Sequence, residues 1–221
     1  MAPMTNPSLV IFDCDGVLVD SEPVAGAMFS EFVRAEGYSG SHEDCLVTFR
    51  GRSMVSAVEI IEADIGRALG DDWPERVEEA VMAVFLEALD PIEHIHHVTD
   101  AVRRAGLASC VASSSRMPHI VNSVTKIGLV DHFSENLFSA SMVENGKPAP
   151  DLFLHAARSM GEGPATSVVI EDSLPGVQAG IAAGMKVFGY AGDPQTNAQA
   201  LTNAGAIVFD DMRKLPALIG I

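Results

Sequence analysis

The sequence has few cysteines and few basic residues, and it lacks long apolar runs. Its three cysteines, at positions 14, 45 and 110, are odd in number and far apart, which argues against a zinc motif and favours a reducing compartment. Lysine and arginine number 14 against 30 acidic residues, and no basic run occurs, so nucleic acid and anionic membranes are poor partners. An anionic ligand would need local positive charge from a metal, a few basic side chains and backbone N–H groups.

Signals for export or membrane insertion are also lacking. Residues 1–7 have neither the basic nor the apolar pattern of an export signal, and no apolar run approaches about 18 residues, the length that a membrane span requires. The sequence has no internal repeats and no low-complexity segments. With 221 residues, 48% of them hydrophobic, it is typical of a globular protein of one or two domains. We expect a cytoplasmic protein that is a monomer or a weak homodimer.

The chain is organised around an apolar run, Leu9–Phe12, that leads directly into Asp13 and Asp15. The run predicts a buried strand of a parallel sheet, and ligands of such sheets bind outside the carboxyl ends of the strands. Asp13 and Asp15 share one face because strand side chains alternate, and Gly16 lets the backbone turn away. Two close carboxylates require a cation or a proton between them, and Mg²⁺ prefers carboxylate, water and phosphate oxygens.

Two other interpretations of this stretch are weaker. Asp-x-Asp-Gly also begins a calcium-binding loop, but that loop needs a closing glutamate at its twelfth position, where this chain has Val24. The aspartates could instead be turn residues without a function, since aspartate is common in turns.

The rest of the chain divides into two parts that differ in the spacing of their apolar residues. Residues 22–90 have helical spacing of apolar residues throughout and no strong strand candidate. From about residue 92, short apolar strands alternate with amphipathic helices, which predicts a parallel sheet with right-handed crossovers. The sequence therefore predicts an α/β protein with a Rossmann-like parallel-sheet core, residues 1–20 and 92–221, and an inserted all-helical cap, residues 21–91.

Polar residues follow three further strand and loop segments. Ser113 closes one apolar strand, Lys147 lies in a proline-stiffened loop, and Glu171 and Asp172 close another strand. Each has an ordinary alternative: Ser113 as a helix cap, Lys147 as a solvated lysine, and the two acids as helix-capping residues. The combination of carboxylate pairs at two strand ends with a hydroxyl and a lysine favours a phosphate and metal site over a purely structural role.

These motifs together resemble those of the haloacid dehalogenase superfamily, in its phosphatase and phosphomutase branch with a small helical cap. The resemblance covers nearly the whole chain, and its four motifs occur in the family's order. They are FDCDGVLVDS at 12–21, ASSS at 112–115, GKPAPD at 146–151 and IEDS at 170–173.

The resemblance implies a role for each aspartate of the first motif. Asp13 would be the nucleophile that takes up the phosphoryl group. Asp15 would protonate the leaving alcohol and then activate the attacking water. The presence of Asp15 also argues against a true dehalogenase, whose leaving group needs no acid.

The resemblance also implies a metal and phosphate site. Mg²⁺ would be the cofactor and a small phosphorylated molecule the substrate. Asp13, Asp172, Glu171 and the backbone carbonyl of Asp15 would bind Mg²⁺ or orient its waters, and Ser113, Ser114 and Lys147 would hold the phosphate.

Substrate choice would depend on the cap. Residues 48–53 resemble the family's specificity loop, in which Gly51 allows close approach and Arg50 or Arg52 would meet an anionic group. Cap closure would bring this loop over the site. Arg116, which follows the second motif, is a further specificity candidate.

The motifs favour hydrolysis over transfer. β-Phosphoglucomutase-like sequences carry other residues where this chain has Met54, Arg116 and Met117. We therefore expect a Mg²⁺-dependent phosphatase that acts on a sugar phosphate or phospho-organic acid through an aspartyl-phosphate, and the sequence is similar to 6-phosphogluconate-type phosphatases. The alternatives are a β-phosphoglucomutase-like sugar phosphomutase and a non-catalytic ligand-binding module on the same fold.

Overall fold

The computed structural model describes residues 7–49, 54–77, 79–80 and 89–221. The chain divides into two compact units. One consists of the chain up to Asp20 together with Asp90–Ile221, and the other is Ser21–Leu89.

The first unit contains the β-strands of the described chain. A parallel six-stranded sheet has the order β5-β4-β1-β6-β7-β8, and β2 and β3 form an antiparallel ribbon. The predicted α/β class with a parallel sheet is confirmed. The strands are β1 (Leu9–Phe12), β2 (Val19–Asp20), β3 (Asp90–Pro91), β4 (Ala108–Ser113), β5 (Leu137–Ser139), β6 (Ser167–Glu171), β7 (Lys186–Tyr190) and β8 (Ile207–Phe209).

The β2–β3 ribbon corrects the sequence interpretation of residues 90 and 91. They were expected at the end of the helical cap, but Asp90 pairs with Asp20, and Pro91 pairs with Val19. The ribbon belongs to the first unit, and it is the place where the chain leaves that unit and returns to it. A two-residue strand that contains a proline carries too little pattern to be recognised from sequence.

The second unit is helical in its described part. Its helices are α1 (Glu22–Ala35), α2 (His42–Phe49) and α3 (Met54–Ile65), and residues 73–77 are also helical. They share an apolar core in which Trp73 and Phe49 each pack edge-to-face against the ring of Phe29. The Trp73 indole N–H donates to Glu36 Oε1 over 3.1 Å, so the buried ring keeps a polar partner.

The helices of the first unit connect the parallel strands. Buried residues of α4 recur at positions 95, 98, 99 and 102, the spacing of one helix face. No helix among the described residues has the length and apolar character needed to cross a membrane. These helices are α4 (Ile95–Arg104), α5 (Met117–Lys126), α6 (Val130–Phe133), α7 (Asp151–Ser159), α8 (Leu174–Ala182), α9 (Ala198–Asn203) and α10 (Leu215–Ile219).

The position of β1 determines where a ligand can bind. All four of its residues are fully buried, and it pairs with β4 on one side and β6 on the other. The chain order reverses at β1, and open α/β sheets bind ligands at such a switch point, beyond the carboxyl ends of the strands.

Candidate active site

Polar residues gather where β1, β4 and β6 end. Asp13 directly follows β1, Ser113 is the last residue of β4, and Glu171 and Asp172 stand at the end of β6. These three strands are neighbours in the sheet, and the Asp13 N–H donates to the Ile170 carbonyl of β6 over 2.9 Å. The sheet thus brings together residues that lie far apart in the sequence.

The three acids of this set and Lys147, from the loop before α7, form a charge-dense cluster of Asp13, Lys147, Glu171 and Asp172 that we call the carboxylate–lysine group. Lys147 Nζ lies 2.6 Å from Asp13 Oδ1 and 2.7 Å from Glu171 Oε1. The Lys147 side chain is only 4% exposed, which excludes the alternative that it is a solvated loop lysine. An ammonium group has three N–H donors, so one remains after these two bonds.

Both carboxylate oxygens of Glu171 accept hydrogen bonds. Its Oε1 accepts from Lys147, and its Oε2 accepts from the backbone N–H and the hydroxyl of Ser173, each over 2.9 Å. Ser173 also caps α8, because its Oγ accepts from the Gly176 N–H. A side chain at Gly176 would begin 1.7 Å from Glu171 Oε1, so only glycine leaves room for this fully buried carboxylate.

The electrostatics of the carboxylate–lysine group favour a bound cation. Burial raises the pKa of Asp13 to about 7, with repulsion from Glu171 adding to it and Lys147 opposing it. Burial and the neighbouring Glu171 and Asp13 raise the pKa of Asp172 to about 9. Burial alone would lower the pKa of Lys147, but its two carboxylate partners hold that pKa above its usual range. One lysine therefore does not neutralise three acids.

The donor set of this cluster fits a hard divalent metal. Asp13, Glu171 and Asp172 can each direct one carboxylate oxygen so that all three lie within 4.8 Å of one another. An all-oxygen set of this kind suits Mg²⁺. Among the described residues, no other group of His, Cys, Asp and Glu side chains meets that criterion.

Gly16 allows the first motif and Asp172 to approach each other. Its φ is 78°, in the left-handed region, and a Cβ at this position would lie 2.1 Å from Asp172 Oδ2. The loop closes at once, since the Gly16 N–H donates to the Val19 carbonyl over 2.9 Å. Both the backbone conformation and the space therefore require glycine here.

Asp15 belongs to a second cluster, the Asp15 group, which consists of Asp15, Ser115 and His119. Ser115 Oγ donates to Asp15 Oδ2 over 2.8 Å, and His119 Nε2 lies 2.9 Å from Asp15 Oδ1. Burial by itself lowers the pKa of His119, but its hydrogen bond to Asp15 and the charge of that carboxylate raise the pKa above the usual value. Asp15 thus contacts two residues of the segment that joins β4 to α5.

The loop between β4 and α5 places the serines of the second motif. Ser113 is buried, and its Oγ accepts from the Ser115 N–H over 3.1 Å. Ser139, at the end of β5, donates its hydroxyl to the Ser115 carbonyl over 2.7 Å. Ser114 and Arg116 are exposed on this loop.

The structure brings several of the candidate residues together. Asp13, Lys147, Glu171 and Asp172 form one cluster, and Asp15 and Ser113 lie at the ends of adjacent strands. Arg50, Gly51 and Arg52 lie outside the described residues, so their place is not given. Sequence reasoning missed Ser115, His119 and Ser173. The one feature of the sequence that could have indicated His119 is its polar ring on the otherwise largely apolar face of α5.

A comparison with protein families agrees with this site. Residues 7–184 match the model of the haloacid dehalogenase-like hydrolases. The chain belongs to this family. Its motifs lie within the matched range, as does every residue of the carboxylate–lysine group and of the Asp15 group.

Individual haloacid dehalogenase-like proteins are similar over nearly the full length. A 6-phosphogluconate phosphatase of Escherichia coli is 29% identical over 97% of this chain and 96% of its own. A phosphorylated carbohydrates phosphatase of Thermotoga maritima is 30% identical over 90% and 92%. The crystal structure of a haloacid dehalogenase-like protein of unknown function from Agrobacterium tumefaciens superimposes with a TM-score of 0.83, at 33% identity over 96% and 97%. With the family match, these relatives identify a phosphoric monoester hydrolase.

Proposed function

We propose that the protein is a Mg²⁺-dependent phosphatase that hydrolyses a sugar phosphate or phospho-organic acid through an aspartyl-phosphate on Asp13. The observation that carries this proposal is the arrangement at the end of β1. Asp13 is bonded to a buried lysine and lies beside two further acids, while Asp15, two residues later, is held separately by Ser115 and His119. Asp13 thus suits a site for a cation and an anion, and Asp15 has two hydrogen-bond partners of its own.

Asp13 suits the role of nucleophile. A carboxylate can attack phosphorus and form an acyl-phosphate, and Lys147 keeps one carboxylate oxygen in place. The bond from phosphorus to the leaving alcohol breaks as the bond to Asp13 forms. Water then attacks the phosphorus, which releases inorganic phosphate and restores Asp13.

Asp15 suits the role of acid and base. It gives its proton to the leaving alcohol in the first step and takes a proton from the attacking water in the second. Its side chain is 30% exposed, against 10% for Asp13, so it is the more accessible of the two carboxylates. A group that transfers protons in this way contributes on the order of 10²–10⁴-fold to the rate.

A divalent metal and several donors complete the site. The carboxylates of Asp13 and Asp172 and the backbone carbonyl of Asp15 would hold Mg²⁺, with Glu171 beside them. The ion would neutralise the charge of the phosphoryl group when bound. Lys147 has one N–H left for a phosphate oxygen. Ser113 and the backbone N–H of Ser114 lie at the adjacent strand end, and we assign them to the phosphate as well.

The test is a substrate panel. Purified protein is treated with EDTA, and release of phosphate from sugar phosphates, phospho-organic acids and p-nitrophenyl phosphate is followed with and without Mg²⁺. We expect hydrolysis that requires Mg²⁺, with at least one metabolite preferred. Full activity in EDTA would contradict the metal, and an inactive panel would favour a ligand-binding module.

The same assay separates hydrolysis from transfer. β-Glucose 1-phosphate is supplied with a trace of the 1,6-bisphosphate, and both glucose 6-phosphate and free phosphate are measured. A phosphatase releases free phosphate. Rapid formation of glucose 6-phosphate with little free phosphate would instead identify a phosphomutase.

A further inference from the structure

His119 occupies a buried position on the first turn of α5, in contact with Asp15. Its side chain is 10% exposed, and its Nε2 lies 2.9 Å from one carboxylate oxygen, while Ser115 Oγ bonds the other oxygen over 2.8 Å. We propose that His119, supported by Ser115, is a positioning residue for proton transfer that holds the Asp15 carboxylate where it can protonate the leaving alcohol. This inference rests on the proposed function, because it depends on the role given there to Asp15.

The stability of α5 does not account for a histidine at this position. The buried face of the helix is formed by His119, Ile120, Ser123 and Val124, and an apolar residue would pack there without desolvating a polar ring. The contact of His119 Nε2 with the Asp15 carboxylate offsets this cost.

Asp15 needs such support because of where it lies. It follows β1 in a tight loop, and its partly exposed side chain lies outside the carboxylate–lysine group. Ser115 and His119 contact different oxygens of the Asp15 carboxylate and together restrict its orientation. Misplacement of a reacting group by about 1 Å can cost on the order of 10²-fold in rate.

The second donor is itself held in place. The Ser115 carbonyl accepts from Ser139 Oγ, and the Ser115 N–H donates to Ser113 Oγ. Ser113 and Ser139 are paired residues at the ends of β4 and β5. The Asp15 group is therefore attached to the rigid edge of the sheet.

The two donors also match the charge that appears during the reaction. As the proton of Asp15 moves to the alcohol oxygen, the bond from phosphorus to that oxygen breaks and the bond to Asp13 forms. Asp15 is left as a carboxylate, and hydrogen bonds from His119 and Ser115 strengthen as its charge grows. His119 thus acts through Asp15 and does not touch the substrate.

The test uses leaving groups of different basicity. Nitrophenolate leaves without a proton, whereas phenolate and alkoxide increasingly need one. His119→Phe fills the site without a donor, and His119→Gln keeps an N–H near the position of Nε2. In His119→Phe, we expect kcat/KM to fall roughly 10- to 100-fold for phenyl phosphate and for the best alkyl phosphate of the panel, and less than about 3-fold for p-nitrophenyl phosphate.

Rescue and controls decide between positioning and packing. His119→Gln should recover most of the loss, and Ser115→Ala should show the same dependence on the leaving group if His119→Phe folds poorly. His132→Phe is the matched control, because His132 also bonds a serine hydroxyl but lies away from the site. Equal losses on all substrates, no loss, or no rescue by His119→Gln would each overturn the inference. Wild-type activity of Asp15→Asn would instead overturn the proposed function.

Discussion

The two clusters beside β1 differ in what holds them together. The carboxylate–lysine group is buried except for the partly exposed Asp172, and it depends on strong opposite charges, with more acidic than basic groups. The side chain of Asp15 is more accessible than that of Asp13, and in the Asp15 group Ser115 and His119 contact its two carboxylate oxygens. Two aspartates separated by one residue thus experience different surroundings, because β1 ends between two neighbouring strands. The contrast agrees with the roles that we propose, Asp13 as nucleophile and Asp15 as proton donor.

The largest effect is expected from exchanging the two aspartates for asparagine, one at a time. Asp13→Asn should abolish turnover and leave no phosphoryl group on the protein. Asp15→Asn should still accept the phosphoryl group from p-nitrophenyl phosphate, because that leaving group needs no proton, but should release it about 10²–10⁴-fold more slowly. Rapid quench with mass spectrometry measures the phosphoryl group on Asp13. A burst of nitrophenolate from Asp13→Asn would contradict the assignment.

The next largest effect concerns the buried charge pair. Lys147→Met leaves Asp13 and Glu171 without their cation, and loss of one partner of a buried pair costs about 3–5 kcal/mol in free energy of unfolding. Urea denaturation in EDTA measures this loss. Lys214→Met is the control, since Lys214 pairs with an aspartate on the surface and little change is expected. Equal stability of the two variants would show that the buried pair contributes nothing.

A smaller effect distinguishes metal binding from folding. Asp172→Asn removes one of three crowded acids, so stability without metal should stay the same or rise slightly. In the wild type, Mg²⁺ at about 100 times its dissociation constant should add about 2.7 kcal/mol. That increase should disappear in Asp172→Asn. Thermal unfolding with EDTA or Mg²⁺ measures both quantities, and an unchanged Mg²⁺ effect in the variant would exclude Asp172 as a ligand.

The smallest effect is expected at His132, which lies outside both clusters. It tests whether the pH dependence of stability comes from the site alone. Burial and the neighbouring Arg103 lower the pKa of His132 below its usual value of 6.5. The unfolded chain therefore binds a proton at His132 more tightly than the folded chain does. The contribution of neutral His132 to stability is present above about pH 6.5 and is lost as the pH falls toward the pKa of the folded state.

The urea midpoints of unfolding at about pH 7.5 and about pH 5.5 measure this loss of stability. His132→Gln should reduce the drop in stability relative to the wild type while leaving kcat unchanged. If the variant shows the same drop, His132 is not responsible for it.

The sequence predicts the elements of the carboxylate–lysine group well, because each of its acids stands at the end of an apolar run. The parallel sheet follows from the alternation of strands and helices, and the fold class then places the carboxyl ends of all its strands at one edge of the sheet. The strand order itself is not encoded locally, so no pattern specifies which strand ends are neighbours.

The Asp15 group is harder to predict. His119 lies 104 positions from Asp15, and its contact depends on the register of β1 against β4 and on the direction of α5. The ribbon at Asp90 and Pro91 was missed for a different reason, since two residues show no periodicity. By contrast, α4 has a detectable helical spacing of buried residues at 95, 98, 99 and 102, in agreement with the alternation of strands and helices predicted from about residue 92.

The bond between Asp13 and Lys147 joins residues 134 positions apart, and β1 lies between strands that are made much later. During synthesis, Asp13 therefore leaves the ribosome long before its partners exist. The nascent β1 is a wholly apolar segment without neighbours until β4 and β6 follow. No nascent chain that ends before Asp172 can contain the complete carboxylate–lysine group.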